Sequence, residues 1–312
     1  MTITDETTSL IVNQSLSKRQ LWFAAIKPPM YTVAVIPISF GTALAYTETG
    51  IFQANVFVIF LLSAILIIAW LNLSNDVFDS DTGIDVNKAH SVVNLTGNRT
   101  LVFWISIICL LLGLGGILLI NYWLKDWILL WLIIACCALG YSYQGPPFRF
   151  GYVGLGEIIC FVTFGPMAIA AAYYSQTEVF SVSSFWASSI IGISTSIILF
   201  CSHFHQIKDD IAAGKKSPIV RLGTDLGSKV LTISVILFYG LCLLLTAMKI
   251  LPYSALIVLL SMPIAYQLTN HVNQYHNQPE KVKNSKFIAV NLHFISGLLL
   301  CISLILPTNI IY

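Results

Sequence analysis

Nine apolar runs, each close to the length a bilayer crossing demands, leave this chain one kind of architecture. They are Met30–Tyr46, Phe52–Ser74, Leu101–Tyr122, Ile128–Tyr143, Leu155–Tyr174, Phe185–Phe204, Val230–Met248, Tyr253–Asn270 and Ile288–Pro307. A backbone in hydrocarbon has to satisfy its own N–H and C=O groups, which such runs do as helices. The expected fold is all-α and integral to a membrane. Only 10% of the residues are charged, where a soluble domain carries roughly a quarter. The first twenty residues, MTITDETTSLIVNQSLSKRQ, lack a basic segment followed by an apolar one, so no cleavable signal peptide is expected. KRQLWFAAIK (Lys18–Lys27) reads as a short interfacial helix or an ordinary basic flank before Pro28 and Pro29 break the chain. Residues 1–28 are thus a tail and interfacial segment, and 29–312 one transmembrane domain.

The cations orient the bundle. With nine crossings, Lys18, Arg19, Lys27, Lys88, Arg99, Arg149, Lys208, Lys215, Lys216, Arg221, Lys229, Lys281, Lys283 and Lys286 fall on one side. Only Lys125 and Lys249 fall on the other. That asymmetry predicts a cytoplasmic N-terminus. Two same-side connections, Asn75–Thr100 and His205–Lys229, are long and polar, and each follows an even-numbered run. Their matched places in the bundle suggest two halves of one site. The seven cysteines all lie inside apolar runs with no CxxC pair, and read as small buried hydrophobes.

The chemistry concentrates where the second run ends. NDVFDSDTGID (Asn75–Asp85) holds four of the fourteen carboxylates. Such packing is repulsive unless a cation or a ring of donors offsets it. Asn72, Asn75, Asp76 and Asp79 fall at i, i+3, i+4 and i+7, one face of a helix if the second run continues through them. Hard oxygens gathered this way suit Mg²⁺, or equally Mn²⁺. The plainer alternative is a solvated helix end. An EF-hand is excluded, because its sixth and twelfth positions counted from Asp79 hold Ile84 and His90.

The second polar connection, HFHQIKDDIAAGKKSPIVRLGT (His203–Thr224), mixes Asp209 and Asp210 with Lys208, Lys215, Lys216 and Arg221. Acids for metal beside bases for phosphoryl oxygens make a place for a diphosphate. The lysines alone would read as a positive-inside loop. GYSYQGPPFRFGYVGLGEIICFVTFG (Gly140–Gly165) adds the aromatic faces of Tyr141, Tyr143 and Tyr152, the cation Arg149, and Glu157 inside the fifth run. Glu157 has two readings, a functional group or a quiet partner of a neighbouring helix. His203 reads as a satisfied polar group.

These stretches resemble the UbiA superfamily of intramembrane aromatic prenyltransferases. Asn75-Asp76-x-x-Asp79 carries the superfamily match. NDVFDSDTGID, GYVGLGEIICFVTFG and GKKSPIVRLGT are similar to its MenA branch, which prenylates 1,4-dihydroxy-2-naphthoate. The third acid of that branch falls at Asp85, and DVNKAHSVVNLTGNR and HFHQ are similar to its phytyl-transferring members. Gln206 departs from the pattern, standing where many relatives have Asp. The resemblance implies nine helices around a cavity, a prenyl diphosphate held by Mg²⁺ at the cytoplasmic mouth, and an apolar tail lying in contact with lipid. It implies Asp76, Asp79, Asp85, Asp209 and Asp210 on metal, with Asn72, Asn75, Lys88, Lys215 and Arg221 on the diphosphate. It places Tyr141, Arg149 and Glu157 toward the aromatic acceptor. The reaction implied is ionisation to an allylic cation, attack by the naphthoate ring and loss of CO₂, in a plasma or thylakoid membrane and with no nucleic acid as partner. The donor expected is phytyl diphosphate; a longer polyprenyl donor, or homogentisate, 4-hydroxybenzoate or haem as acceptor, is the alternative. A cation or solute transporter is the reading outside this class, and it would place its site near the midplane.

Overall fold

A computed structural model describes residues 18–82 and 91–306. Among these residues every regular element is helical. Helix α1 (Lys18–Ile26) runs into the tight turn Pro28–Tyr31, and then follow α2 (Thr32–Thr49), α3 (Ala54–Thr82), the short α4 (Val92–Thr96) and α5 (Arg99–Leu124). Next are α6 (Ile128–Gln144), α7 (Gly156–Val162) and α8 (Ala168–Thr177), the last two joined by a wide π turn at Thr163–Met167. Helix α9 (Val182–Ala212) precedes α10 (Pro218–Leu222) and α11 (Thr224–Ala247). A 3₁₀ stretch (Tyr253–Ser261) leads into α12 (Met262–Tyr275), α13 (Pro279–Val282) and α14 (Ser285–Ile305).

All nine apolar runs lie on helix. Eight helical stretches are long and apolar enough to cross a membrane. The remaining run is α6, an apolar helix of 17 residues. The protein is an integral membrane protein.

Two helices outrun the apolar stretches that predicted them. Helix α3 continues through Thr82, so Asn75, Asp76, Asp79 and Asp81 stand on helix. Helix α9 continues through Ala212, which puts His205, Gln206, Asp209 and Asp210 on its last two turns and not on a connection, as the sequence suggested. Neither extension, 75–82 or 205–212, holds a Gly or Pro to break the helix. Asp85 and Lys88 lie outside the described residues.

The core divides into two lobes. One gathers α9, α11, α12 and α14 around Phe200, Phe204 and Phe238, with Ile36 and Phe40 of α2. The other gathers α3, α5, α6 and α8 around Phe60, Ile117, Ile120 and Leu129. Helices α3 and α5 pack along each other, α2 lies against α8 and α14, and α9 touches α7, α11 and α14. A cavity of about 230 Å³ occupies the seam between the lobes.

Small residues let the seam close on its α7–α9 side. A Cβ on Gly165 would stand 2.9 Å from the Cα of Gly192, so the π turn and α9 meet backbone to backbone. Pro166 follows Gly165 directly, and the wide turn accommodates its missing N–H.

Candidate active site

The cavity is apolar along its length and polar at one end. Ile68, Leu71, Ile159, Phe164, Ile198 and Leu199 contribute its walls. Asn72, Asn75, Tyr143, Ser202 and Lys286 line the end nearest the acids. On α9, Thr195, Ile198, Leu199 and Ser202 recur at helical spacing along the cavity, and Gln206 and Asp209 extend that stripe beyond it.

The four polar residues of α3 do not converge on one point. Asn72 and Asn75 face the cavity. Asp79, buried, accepts a hydrogen bond from the side-chain amide of Gln144 at the end of α6. Asp76, also buried, has different partners. Its Oδ1 accepts from the Lys27 ammonium at 2.9 Å and its Oδ2 from the Val92 backbone N–H at 3.0 Å. Lys27 is there because α1 packs through Ala25 against Val77, Val92 and Val93, which brings the residue after the helix to the end of α3. Asp81 leaves the group altogether, in an exposed fork-to-fork pair with Arg99 at 2.8 and 2.6 Å.

Across the mouth, Asp210 is also buried. His203 Nδ1 lies 3.1 Å from its Oδ2, and the Lys215 ammonium is 3.5 Å from its Oδ1, a long contact. The other ring nitrogen of His203 is 3.3 Å from Glu157 Oε1. A chain Glu157–His203–Asp210 therefore joins α7 to α9 and delivers a carboxylate to the mouth. His203 is satisfied, as the sequence suggested, but by two acids. Tyr143 lies within electrostatic reach of Asp79, Asp210 and Glu157, between the two acidic groups.

Tyr152 ties the rim together. Its hydroxyl is 2.7 Å from Thr82 Oγ1 at the end of α3, and its carbonyl accepts the Lys216 N–H at 2.7 Å. Arg149 and the Lys215 ammonium lie 5.9 and 6.0 Å from its ring centroid. Arg221 donates Nε to the Lys216 carbonyl at 3.1 Å and Nη2 to the Val153 carbonyl, so it clamps two connections. Tyr141 sits apart from the cavity, with its hydroxyl on the Pro146 carbonyl at 2.8 Å and its ring edge-on to Phe78. Sequence reasoning missed Lys27, Gln144 and the part His203 plays. Their partners stand 49, 65 and 7 residues away, and only the last separation is a helical spacing that a sequence displays.

Buried polar atoms around the mouth that lack a hydrogen-bond partner include the donors Asn72 Nδ2 and Arg149 Nε and the acceptors Gln144 Oε1 and Asp210 Oδ1. Each such atom costs about 1–3 kcal/mol if left unpaired. Donors and acceptors together fit an anion bound with a cation, as a diphosphate with Mg²⁺ would be. Among the described residues no three acids or histidines already converge as a metal cage. The donor set present is two buried acid groups on facing helices with polar amides between, which suits a hard ion shared with a ligand's own oxygens.

These features define a membrane-embedded helical bundle that holds a polar, acid-lined mouth over an apolar slot. A model of the UbiA prenyltransferase family matches residues 34–295, and the chain belongs to that family. It is 62% identical over 299 residues to the 2-carboxy-1,4-naphthoquinone phytyltransferase of Synechocystis sp., covering 95% of this chain and 96% of that one. It is 42% identical over 301 residues to the chloroplastic 2-carboxy-1,4-naphthoquinone phytyltransferase of Arabidopsis thaliana, covering 94% and 79%. Its fold is that of a UbiA homolog from Archaeoglobus fulgidus bound to GPP and Mg²⁺, with TM-score 0.58, 16% identity and coverage of 90% and 99%.

Proposed function

We propose that this protein transfers a phytyl group from phytyl diphosphate to 1,4-dihydroxy-2-naphthoate, the reduced form of a 2-carboxynaphthoquinone, with release of diphosphate and CO₂. The observation that carries the reading is an apolar slot opening onto a mouth where Asn72, Asn75 and two opposed acid groups stand. The names of the two relatives support the tail and the acceptor.

Asp76, Asp79, Asp85, Asp209 and Asp210 would hold Mg²⁺, which would neutralise the charge that develops on the departing diphosphate. Lys27 and Gln144 occupy Asp76 and Asp79 and have to yield or be shared on loading. Asn72, Asn75, Lys88, Lys215 and Arg221 would meet the phosphoryl oxygens, Lys215 from its buried place beside Asp210. The allylic C–O bond breaks with its electron pair leaving on the diphosphate. A π pair of the ring forms the new C–C bond, and CO₂ leaves its bonding pair to the ring. Tyr143 faces the slot just below the mouth, where its ring shields the allylic cation from water and stabilises it. The mouth lies on the cytoplasmic side, the side to which the cations sort.

The test is prenyl transfer by membranes containing the protein, given 1,4-dihydroxy-2-naphthoate and phytyl or longer prenyl diphosphates, with and without Mg²⁺. A Mg²⁺-dependent phytylated naphthoquinol, recovered as the quinone after oxidation by air, is expected. Product with another aromatic acceptor alone overturns the acceptor, and no transfer by folded protein overturns the reaction.

A further inference from the structure

The slot ends blind. Its lining descends α3 from Asn75 to Phe60, about 22 Å by helical rise. Ile38 of α2 and Ile133 of α6 are likewise the deepest lining residues of their helices, counted from the acid end. Phe60 is 1% exposed, and it belongs with Ile38 and Ile133 to one packed cluster. Behind it Val56, Ile117, Ile120 and Leu129 of the same cluster are all buried. The end is a hydrophobic stop.

We propose that Phe60, braced by Ile38 and Ile133, is a specificity-determining residue that limits the length of the prenyl tail. The inference rests on the prenyl-transfer reading of the same cavity. A tail that reaches from the mouth to Phe60 occupies the length of the slot. A longer one has to buckle, displace close-packed side chains or leave part of itself outside, and overpacking of this kind is unfavourable. Truncating Phe60 removes the stop and leaves the mouth intact, because some four turns of α3 separate Phe60 from Asn75. The selectivity is therefore separable from the chemistry.

The experiment uses the full-length protein in membranes, with phytyl and octaprenyl diphosphates competing for 1,4-dihydroxy-2-naphthoate. In Phe60→Ala the ratio of kcat/KM for octaprenyl over phytyl diphosphate should rise by about tenfold or more. In Phe60→Trp, which keeps the site filled, it should fall. A ratio unchanged in both, from protein that still transfers phytyl, overturns the stop. A second measurement does not depend on the acceptor. A phytyl-length diphosphate carrying a photoreactive group at its far end should crosslink to peptides containing Phe60, Ile38 or Ile133. Crosslinks confined to lipid, or to helix faces outside the slot, overturn the proposal even where transfer is normal. Crosslinking at Phe60 with no transfer to this acceptor would uphold the stop and overturn only the acceptor.

Discussion

Charge at the mouth is held by donors that a metal would have to replace, and single substitutions should read this out. Asp79→Asn keeps the shape and removes the charge, so transfer should fall by about 10²–10³-fold with little change in Tm in detergent. Activity within a few-fold of the parent would remove Asp79 from the ion site. Gln144→Leu acts on the same carboxylate by another route. It removes one hydrogen bond to the buried Asp79, which should cost about 0.5–1.5 kcal/mol of stability and lower Tm. Combined with Asp79→Asn, most of that loss should disappear, since the two residues touch. Arg99→Ala should behave differently. Its pairing with Asp81 is 47% and 38% exposed, so stability should change by less than about 1 kcal/mol. In the sequence, Asp76, Asp79 and Asp81 form one undivided cluster, and their crowding where the second run ends was legible. That one pairs with Lys27, one with Gln144 and one with Arg99 was not, because partner choice depends on where α1, α6 and α5 arrive. Tyr141 and Tyr143 show the same limit. They lie two residues apart on α6, and the helix turns only Tyr143 to the slot.

The helices themselves were legible because hydrocarbon leaves the backbone no alternative. Their ends were not, where polarity rises before the helix stops. Hydropathy ends the sixth run at Phe204, yet α9 carries Asp210 more than a turn further before it ends at Ala212. That extension puts Asp210 at the i+7 position from His203, and so lets Glu157, His203 and Asp210 join two helices. The approach of those helices rests on Gly165 and Gly192, whose lack of a side chain no periodicity reveals. Gly192→Val would drive a Cβ within 2.8 Å of the Phe161 carbonyl and ring. The helices must then part, with a loss of about 1–3 kcal/mol and a weakened His203–Glu157 contact. Thermal unfolding of the purified variant should show a lower Tm, and its phytyl transfer should fall with it. Both values unchanged would mean that α7 and α9 pack less closely than described.

The orientation of the bundle depends on one short helix. Helix α6 has 17 residues, about 26 Å at helical rise, slightly less than a hydrocarbon core of about 30 Å. Trp123, Trp127 and Trp131 gather at one end and are exposed, and Tyr141 stands near the other, the pattern of aromatic belts at two interfaces. A crossing with slight thinning of the bilayer accounts for both facts. The two ends of the argument can be separated with one pair of cysteines, in protein whose seven native cysteines have been replaced. Lys125→Cys precedes α6, and Ala212→Cys ends α9. Three crossings lie between them if α6 spans, and two if it does not. An impermeant maleimide applied to the outside of intact cells should label Lys125→Cys and spare Ala212→Cys until the membrane is opened. Labelling of both, or of neither, puts them on one face and removes α6 from the count. It would also part the mouth acids from the side to which fourteen of sixteen cations are assigned, and with that the reason for placing diphosphate binding in the cytoplasm.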